Sequence, residues 1–127
     1  MVSGDDPIRA TIKRYQETFG AGDREGWLDL FTADAVLEDP VGAAPRQGRE
    51  ELGAFWDETH QLADRSTVRM VQGPAVCGDQ AAWAFEAHVE IGEGLTIISI
   101  IDVGEFAADG RIRHIRAYWD PSGIRSG

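Results

Sequence analysis

The chain reads as one α+β domain, helices first and then an antiparallel sheet curved into a cone around them, with an internal apolar pocket. Three observations carry that reading. Apolar residues recur at helical spacing through the first half, and they alternate with polar residues through the second. "GEG" at 92–94 and "ADG" at 108–110 punctuate the second half as hairpin turns. With 127 residues, 43% of them hydrophobic, the chain has the size of one domain spanning 1–127. A chain that long buries roughly two thirds of its unfolded surface, which leaves room for a sizeable core.

The first helix opens at Asp6 and Pro7, an N-cap and first-turn signal. Ile8, Ile12, Tyr15 and Phe19 form its buried stripe, and "GAG" at 20–22 ends it. Asp23 caps a second, short helix carrying Trp27, Leu30 and Phe31. A third helix follows Gly48, with Leu52, Phe55, Trp56 and Leu62 as its apolar side. "AVLED" at 35–39 is a strand between them. In "AAWAFEAHVEI" Trp83, Phe85, Ala87, Val89 and Ile91 share one face, with Glu86, a solvated His88 and Glu90 on the other. "GLTIISIIDVGEF" is more continuously apolar and so more fully buried. "GRIRHIRAYW" groups Ile115, Ala117 and Trp119.

Charge narrows the function. Twelve Lys and Arg against 22 Asp and Glu leave a formal charge of -10, the wrong sign for nucleic acid or an anionic membrane surface. No stretch approaches the roughly 20 apolar residues of a membrane span. "MVSGDDPIRA" lacks the segments of a signal peptide. The single Cys77 cannot form an internal disulfide, which fits a reducing, cytoplasmic setting, and with no basic neighbour it reads as a small hydrophobe rather than a nucleophile.

Three polar residues stand out against this background. By alternation Leu37 and Asp39 share a face, with Glu38 on the other; the residue before Pro40 is held extended, so Asp39 projects like a strand residue. It is either a turn residue before the proline or an acid pointed inward. Asp102 follows Ile98 and Ile100 on one face of its strand, where an ionised carboxylate would cost several kcal/mol. It must pair with Arg111 or Arg113 across the hairpin, hydrogen-bond strongly, or stay protonated and become a donor. Tyr15 sits on the buried helical stripe, and a buried phenol needs a partner for its hydroxyl. A base and two neutral donors around an apolar cavity would suit removing a proton beside a carbonyl.

Other chemistries find less support. His60, His88 and His114 lack metal-ligand spacing, so no metal site is expected. "GAGDREG" has neither the preceding strand nor the Lys of a phosphate loop, and no nucleophile elbow is present.

"RYQETFGAGDREGW", "ADAVLEDPVG", "PRQGRE", "IIDVGEF" and "GRIRHIRAYW" together resemble, in the same order, segments of the steroid delta-isomerases of the nuclear-transport-factor-2-like cone fold. The resemblance runs from about Arg14 to Trp119 and implies isomerisation of a 3-oxo-Δ5 steroid, a small apolar ketone, without a cofactor. Asp39 matches the family's general base; Tyr15 and Asp102 match its two oxyanion donors. That family is a known example of a carboxylic acid kept protonated by an apolar site, so the neutrality of Asp102 is implied by the resemblance. A homodimer through the outer face of the sheet is implied too. Trp56 and Phe31 depart from the Tyr residues of some relatives, which deprives Tyr15 of its usual phenol donors. The expected substrate pocket comprises Phe19, Phe55, Trp83, Phe85, Val89, Ile98, Ile100, Ile115 and Trp119, with Trp56 closing the deep end behind Tyr15. A polyketide cyclase or dehydratase on the same cone, or a non-catalytic dimer module that binds hydrophobic ligands, are the rival readings. The rival cyclases often use a His inside the pocket, and here no His falls on a pocket face.

Overall fold

A computed structural model describes residues 6–127, the side chain of Asp6 excepted. The N-cap reading of Asp6 and the reading of residues 1–5 lie outside the described residues. Helix α1 spans Asp6–Ala21, α2 Arg24–Leu28 and α3 Gly48–Gln61. The strands are β1 (Phe31–Glu38), β2 (Arg46–Gln47), β3 (Arg65–Cys77), β4 (Gln80–Ile91), β5 (Gly94–Phe106), β6 (Ile112–Tyr118) and β7 (Ile124–Ser126).

The strands build one curved, unclosed sheet in the order β2-β1-β6-β5-β4-β3, with β7 paired to β5 beyond the end of β6. The meander β3 to β6 is antiparallel. β1 joins β6 in parallel, which makes the sheet mixed. Such a pairing needs a long crossover, and the chain from β2 through β5 supplies it. α1 packs on β3 and α3 on β1, so the helices fill the concave side of an α+β cone. No helix among the described residues is long and apolar enough to cross a membrane.

Each helix follows its local code. In α1, Ile8, Ile12 and Tyr15 are buried and Phe19 packs against the core. Asp23 caps α2 by accepting from the Gly26 amide at 3.0 Å. Glycine suits position 26, because a Cβ there would stand 2.2 Å from the Asp23 carboxylate and push it out of its capping position. At the β5–β6 turn, Gly110 adopts φ +89 and lies under Pro7, while Thr11 donates to its carbonyl at 2.7 Å. That contact ties the start of α1 to the sheet.

Several expectations are corrected. α2 stops at Leu28, and Phe31 begins β1 rather than riding on the helix, because Phe31 is drawn into register with Ile112 of β6. Leu62 lies past the end of α3 and is 73% exposed. Cys77, at the end of an edge strand, is exposed. His88 is not solvated: its side chain is largely covered and bonds Glu86 at 3.2 Å. Strand β3 is an addition, its pattern broken by Gly73 and Pro74 where the register with β4 shifts. Proline is tolerated there because β3 is an edge strand with a bulge.

Candidate active site

Between α1, α3 and the concave face of the sheet lies a cavity of about 560 Å³. Phe19, Phe55, Val68, Phe85, Ile98 and Ile100 dominate its wall. The space is graded. Tyr15, 6% exposed, borders its closed end, whereas Leu62 and Ile91 stand exposed at its mouth. A second hollow of similar volume, about 580 Å³, lies against the turn at 121–123; neither Tyr15, Asp39 nor Asp102 borders it.

Asp39 borders the cavity immediately after β1, and the Asp39–Pro40 peptide is cis. It points inward, as strand alternation from Leu37 requires. Its Oδ1 accepts a hydrogen bond from Trp119 Nε1 at 2.6 Å. Burial pushes its pKa up, and the indole N–H opposes part of that rise by stabilising the anion.

Asp102 continues the inward row of Ile98 and Ile100 into the closed end, between Trp83 of β4 and Ala117 of β6. It is 1% exposed, and its Oδ1 has no hydrogen-bond partner among the described residues. The arginines that could have neutralised it are engaged elsewhere: Arg111 pairs with Asp109 and Arg113 with Asp79. Burial, reinforced by the charge of Asp39, holds the Asp102 pKa well above the usual carboxylate range.

Tyr15 is the third group. Burial, then the charges of Asp102 and Asp39, push its phenol well above an ordinary tyrosine. Its ring is flanked by Phe19, Trp27 and Phe31 at centroid distances of 6.5, 5.8 and 6.3 Å. The Trp27 indole leans on the phenol as a weak donor that opposes the rise, although Trp27 Nε1 lacks a partner at regular hydrogen-bond geometry. Trp27, rather than Trp56, is therefore the indole beside Tyr15. The cavity thus presents one carboxylate with a charge-stabilising donor and the Tyr15 phenol, whose neutral form burial favours. Asp102 does not line it but lies buried beyond its closed end, within electrostatic reach of both and likewise favoured neutral.

Residues 12–115 match the SnoaL-like domain. The chain belongs to that family. A steroid Delta-isomerase of Nocardioides simplex is 32% identical over 114 residues, 90% of this chain and 90% of that protein. Epoxide hydrolase LasB of Streptomyces lasalocidi is 35% identical over 117 residues, 83% of this chain but only 38% of that longer protein. Among solved structures, RV0760c from Mycobacterium tuberculosis in complex with estradiol-17beta-hemisuccinate superposes with a TM-score of 0.81 at 28% identity, covering 94% of this chain and 98% of that one. The epoxide hydrolase/cyclase-like enzyme SalBIII, from pyran ring formation in salinomycin, superposes with a TM-score of 0.86 at 22% identity over 98% and 100% of the two chains, a likeness of fold. The steroid-isomerase resemblance of the sequence is thereby borne out at the level of the family.

Within this SnoaL-like cone, Phe19, Phe55, Phe85, Val89, Ile98, Ile100 and Trp119 line the cavity. Trp56, Trp83 and Ile115 do not. Trp56 is stacked on His60 at 3.7 Å and meets Phe19 edge-on at 5.4 Å, behind the wall. Trp83 and Ile115 face inward but lie where the closed end is filled by core, next to Gly104. Sequence reasoning missed the hydrogen-bonding role of Trp119, for which no local pattern exists. It also missed Val68 and Ser66 with β3, and the polar wall residues Arg46, Glu58, Thr59 and Thr96.

Proposed function

We propose that this protein is a steroid delta-isomerase that converts 3-oxo-Δ5 to 3-oxo-Δ4 steroids. One observation carries the reading: Asp39, bonded to the Trp119 N–H at 2.6 Å, lines one apolar cavity with Tyr15, and a fully buried Asp102 without a cation lies just beyond that wall, within electrostatic reach of both. Burial raises both carboxyls, but only Asp39 has a donor holding its anion, so Asp39 ionises first. Ionised Asp39 removes the proton from carbon 4, beside the carbonyl. Charge moves to the carbonyl oxygen as a dienolate, which accepts hydrogen bonds from Tyr15 and neutral Asp102. Asp39 then returns the same proton at carbon 6, and the product is the conjugated enone. Proton and electrons balance within substrate and enzyme, and no cofactor enters.

The Nocardioides simplex relative and the steroid-type ligand in the RV0760c structure support a steroid for the apolar cavity. A homodimer is part of the proposal. Ile101 and Tyr118, cross-strand partners on the outer face, are both exposed, as are Val41 and Val71 nearby. A contiguous apolar patch of that kind marks an association surface.

The decisive experiment mixes purified protein with 5-androstene-3,17-dione and follows the ultraviolet band of the enone, alongside Asp39→Asn. Rapid growth of the band, lost in the variant, supports the reaction and the base. A buffer-level rate in the wild type would defeat the isomerase reading for this substrate. The likeness to epoxide hydrolase LasB sustains a second reading, opening of an epoxide by water, with Asp102 as acid and Asp39 as base. Formation of a diol from an epoxide without any enone formation would favour that alternative.

A further inference from the structure

The wall of the cavity changes character toward its mouth. Near Tyr15 it is Phe85, Ile98 and Ile100; toward Leu62 it gains Arg46, Glu58, Thr59, Ser66 and Thr96. Along α3 and its C-cap, Phe55, Glu58 and Leu62 carry the wall outward, a span of about 10 Å at the rise of an α-helix. Arg46 stands in β2 opposite Leu37 and reaches over the Phe55 ring, its guanidinium carbon 5.8 Å from the centroid. Its two terminal nitrogens donate to the two oxygens of Glu58 at 2.9 and 2.8 Å.

The side chains of this pair are 31% and 59% exposed, and an ion pair so exposed adds little stability. What it has is fixed geometry: a two-pronged fork, with the guanidinium also held on an aromatic face. The fork uses two of the five guanidinium N–H groups, and the carboxylate keeps free lone pairs. A ligand hydroxyl could donate to Glu58 and accept from Arg46 without separating them. A ketone could only accept. A ligand carboxylate would have to displace Glu58 or sit beside it, in a protein of formal charge -10.

We propose that Arg46 and Glu58 form a specificity subsite at the cavity mouth that selects ligands with a hydroxyl at the end remote from the reacting carbonyl. The proposal rests on the isomerase reading for the direction in which the ligand lies. It makes the preferred substrates hydroxylated ring ketones.

Binding, rather than turnover, separates the two claims. Three unreactive 3-oxo-Δ4 steroids are titrated calorimetrically: testosterone with a 17-hydroxyl, androst-4-ene-3,17-dione with a ketone, and androst-4-en-3-one with neither. The wild type is expected to bind the hydroxyl compound about tenfold tighter than the one without oxygen, with the ketone between. Arg46→Met keeps an apolar stem over Phe55, and Glu58→Gln keeps the shape but turns one accepting oxygen into an N–H donor, which breaks the fork. Each should compress the spread to roughly twofold. No preference in the wild type, or a spread that survives in both variants, overturns the subsite. If the protein still forms the enone from 5-androstene-3,17-dione, the isomerase reading survives that failure. If it binds none of the three and forms no enone, both fail together.

Discussion

Glu38 and Asp39 are adjacent in the chain and sit on opposite faces of the same sheet. On the convex face Glu38 meets His114 Nε2 at 2.5 Å and Arg116 Nε at 3.4 Å. Arg116 also binds Glu105 at 2.8 Å, and Glu86 takes both Arg125 and His88. On the concave face Asp39 has an indole N–H, and one oxygen of Asp102 has nothing. The convex carboxylates are compensated by cations or imidazoles; the concave ones are desolvated without one. Desolvation that no partner offsets raises a carboxyl's pKa, and this is where acid–base chemistry is found. The difference lies in what each face offers, not in residue type.

The sharpest way to break the comparison is to neutralise each neighbour in turn. Asp39→Asn should lower the isomerisation rate by roughly 10²–10⁴-fold or more, since it removes the base and leaves the cavity shape unchanged. Glu38→Gln should leave the rate within about twofold, because Glu38 faces away from the cavity and its partners are His114 and Arg116 rather than any group of the candidate site. Equal losses would mean that Asp39 is not the base. Next in size come the two donors. Tyr15→Phe and Asp102→Asn should each cost roughly 10²–10³-fold in kcat, as loss of an oxyanion donor does elsewhere. Steady-state kinetics decide the matter: a change confined to KM would place these groups in binding rather than in the reacting centre.

Trp119→Phe should act less strongly and through Asp39. The indole N–H stabilises the Asp39 anion, so its loss removes the one contact opposing burial and moves the pKa further up. Activity that needs ionised Asp39 falls as the pH drops through that pKa. The acid limb of the pH–rate profile should therefore shift to higher pH, with a loss of about tenfold or less at neutral pH. An acid limb that stays in place while the rate drops would make Trp119 a wall residue only.

Faces were legible in the sequence; depth and partners were not. Two-residue alternation put Asp39 with Leu37 and Asp102 with Ile98 and Ile100, and helical spacing put Tyr15 with Ile12. All three turn inward. The same alternation put Trp83 and Ile115 on the inner face correctly, yet could not tell wall from core along that face. Phe31 looks helical in the sequence because its capture by Ile112 acts across the whole meander. β3 was hidden because an edge strand with a bulge at Gly73 and Pro74 carries no clean period. The Trp119 bond to Asp39 and the Arg46 fork on Glu58 join residues 80 and 12 apart, and no local rule encodes such pairs.

The smallest expected effect tests the concave face without any substrate. A carboxyl whose folded pKa is raised binds its proton more tightly in the folded than in the unfolded chain. Between the unfolded value near about 3.9 and the higher folded value of Asp102, stability therefore falls as pH rises, by at most about 1.4 kcal/mol per unit. Asp102→Asn removes that proton and its linkage. Denaturant unfolding from pH 5 to 8 should show the variant gaining on the wild type as pH rises, whatever the other groups contribute to both curves. Glu105→Gln, on the convex face of the same strand, should run parallel to the wild type from pH 5 to 8 and show the opposite sign only below the unfolded carboxylate value of about 4.3. Arg116 holds Glu105 below its ordinary range, so its stabilisation is complete at neutral pH and is lost only as pH falls through the depressed value. Glu105 is partly solvated, so its effect should be the smaller of the two. Parallel curves for Asp102→Asn and the wild type would mean that Asp102 is ionised and paired after all, and the distinction between the two faces would collapse.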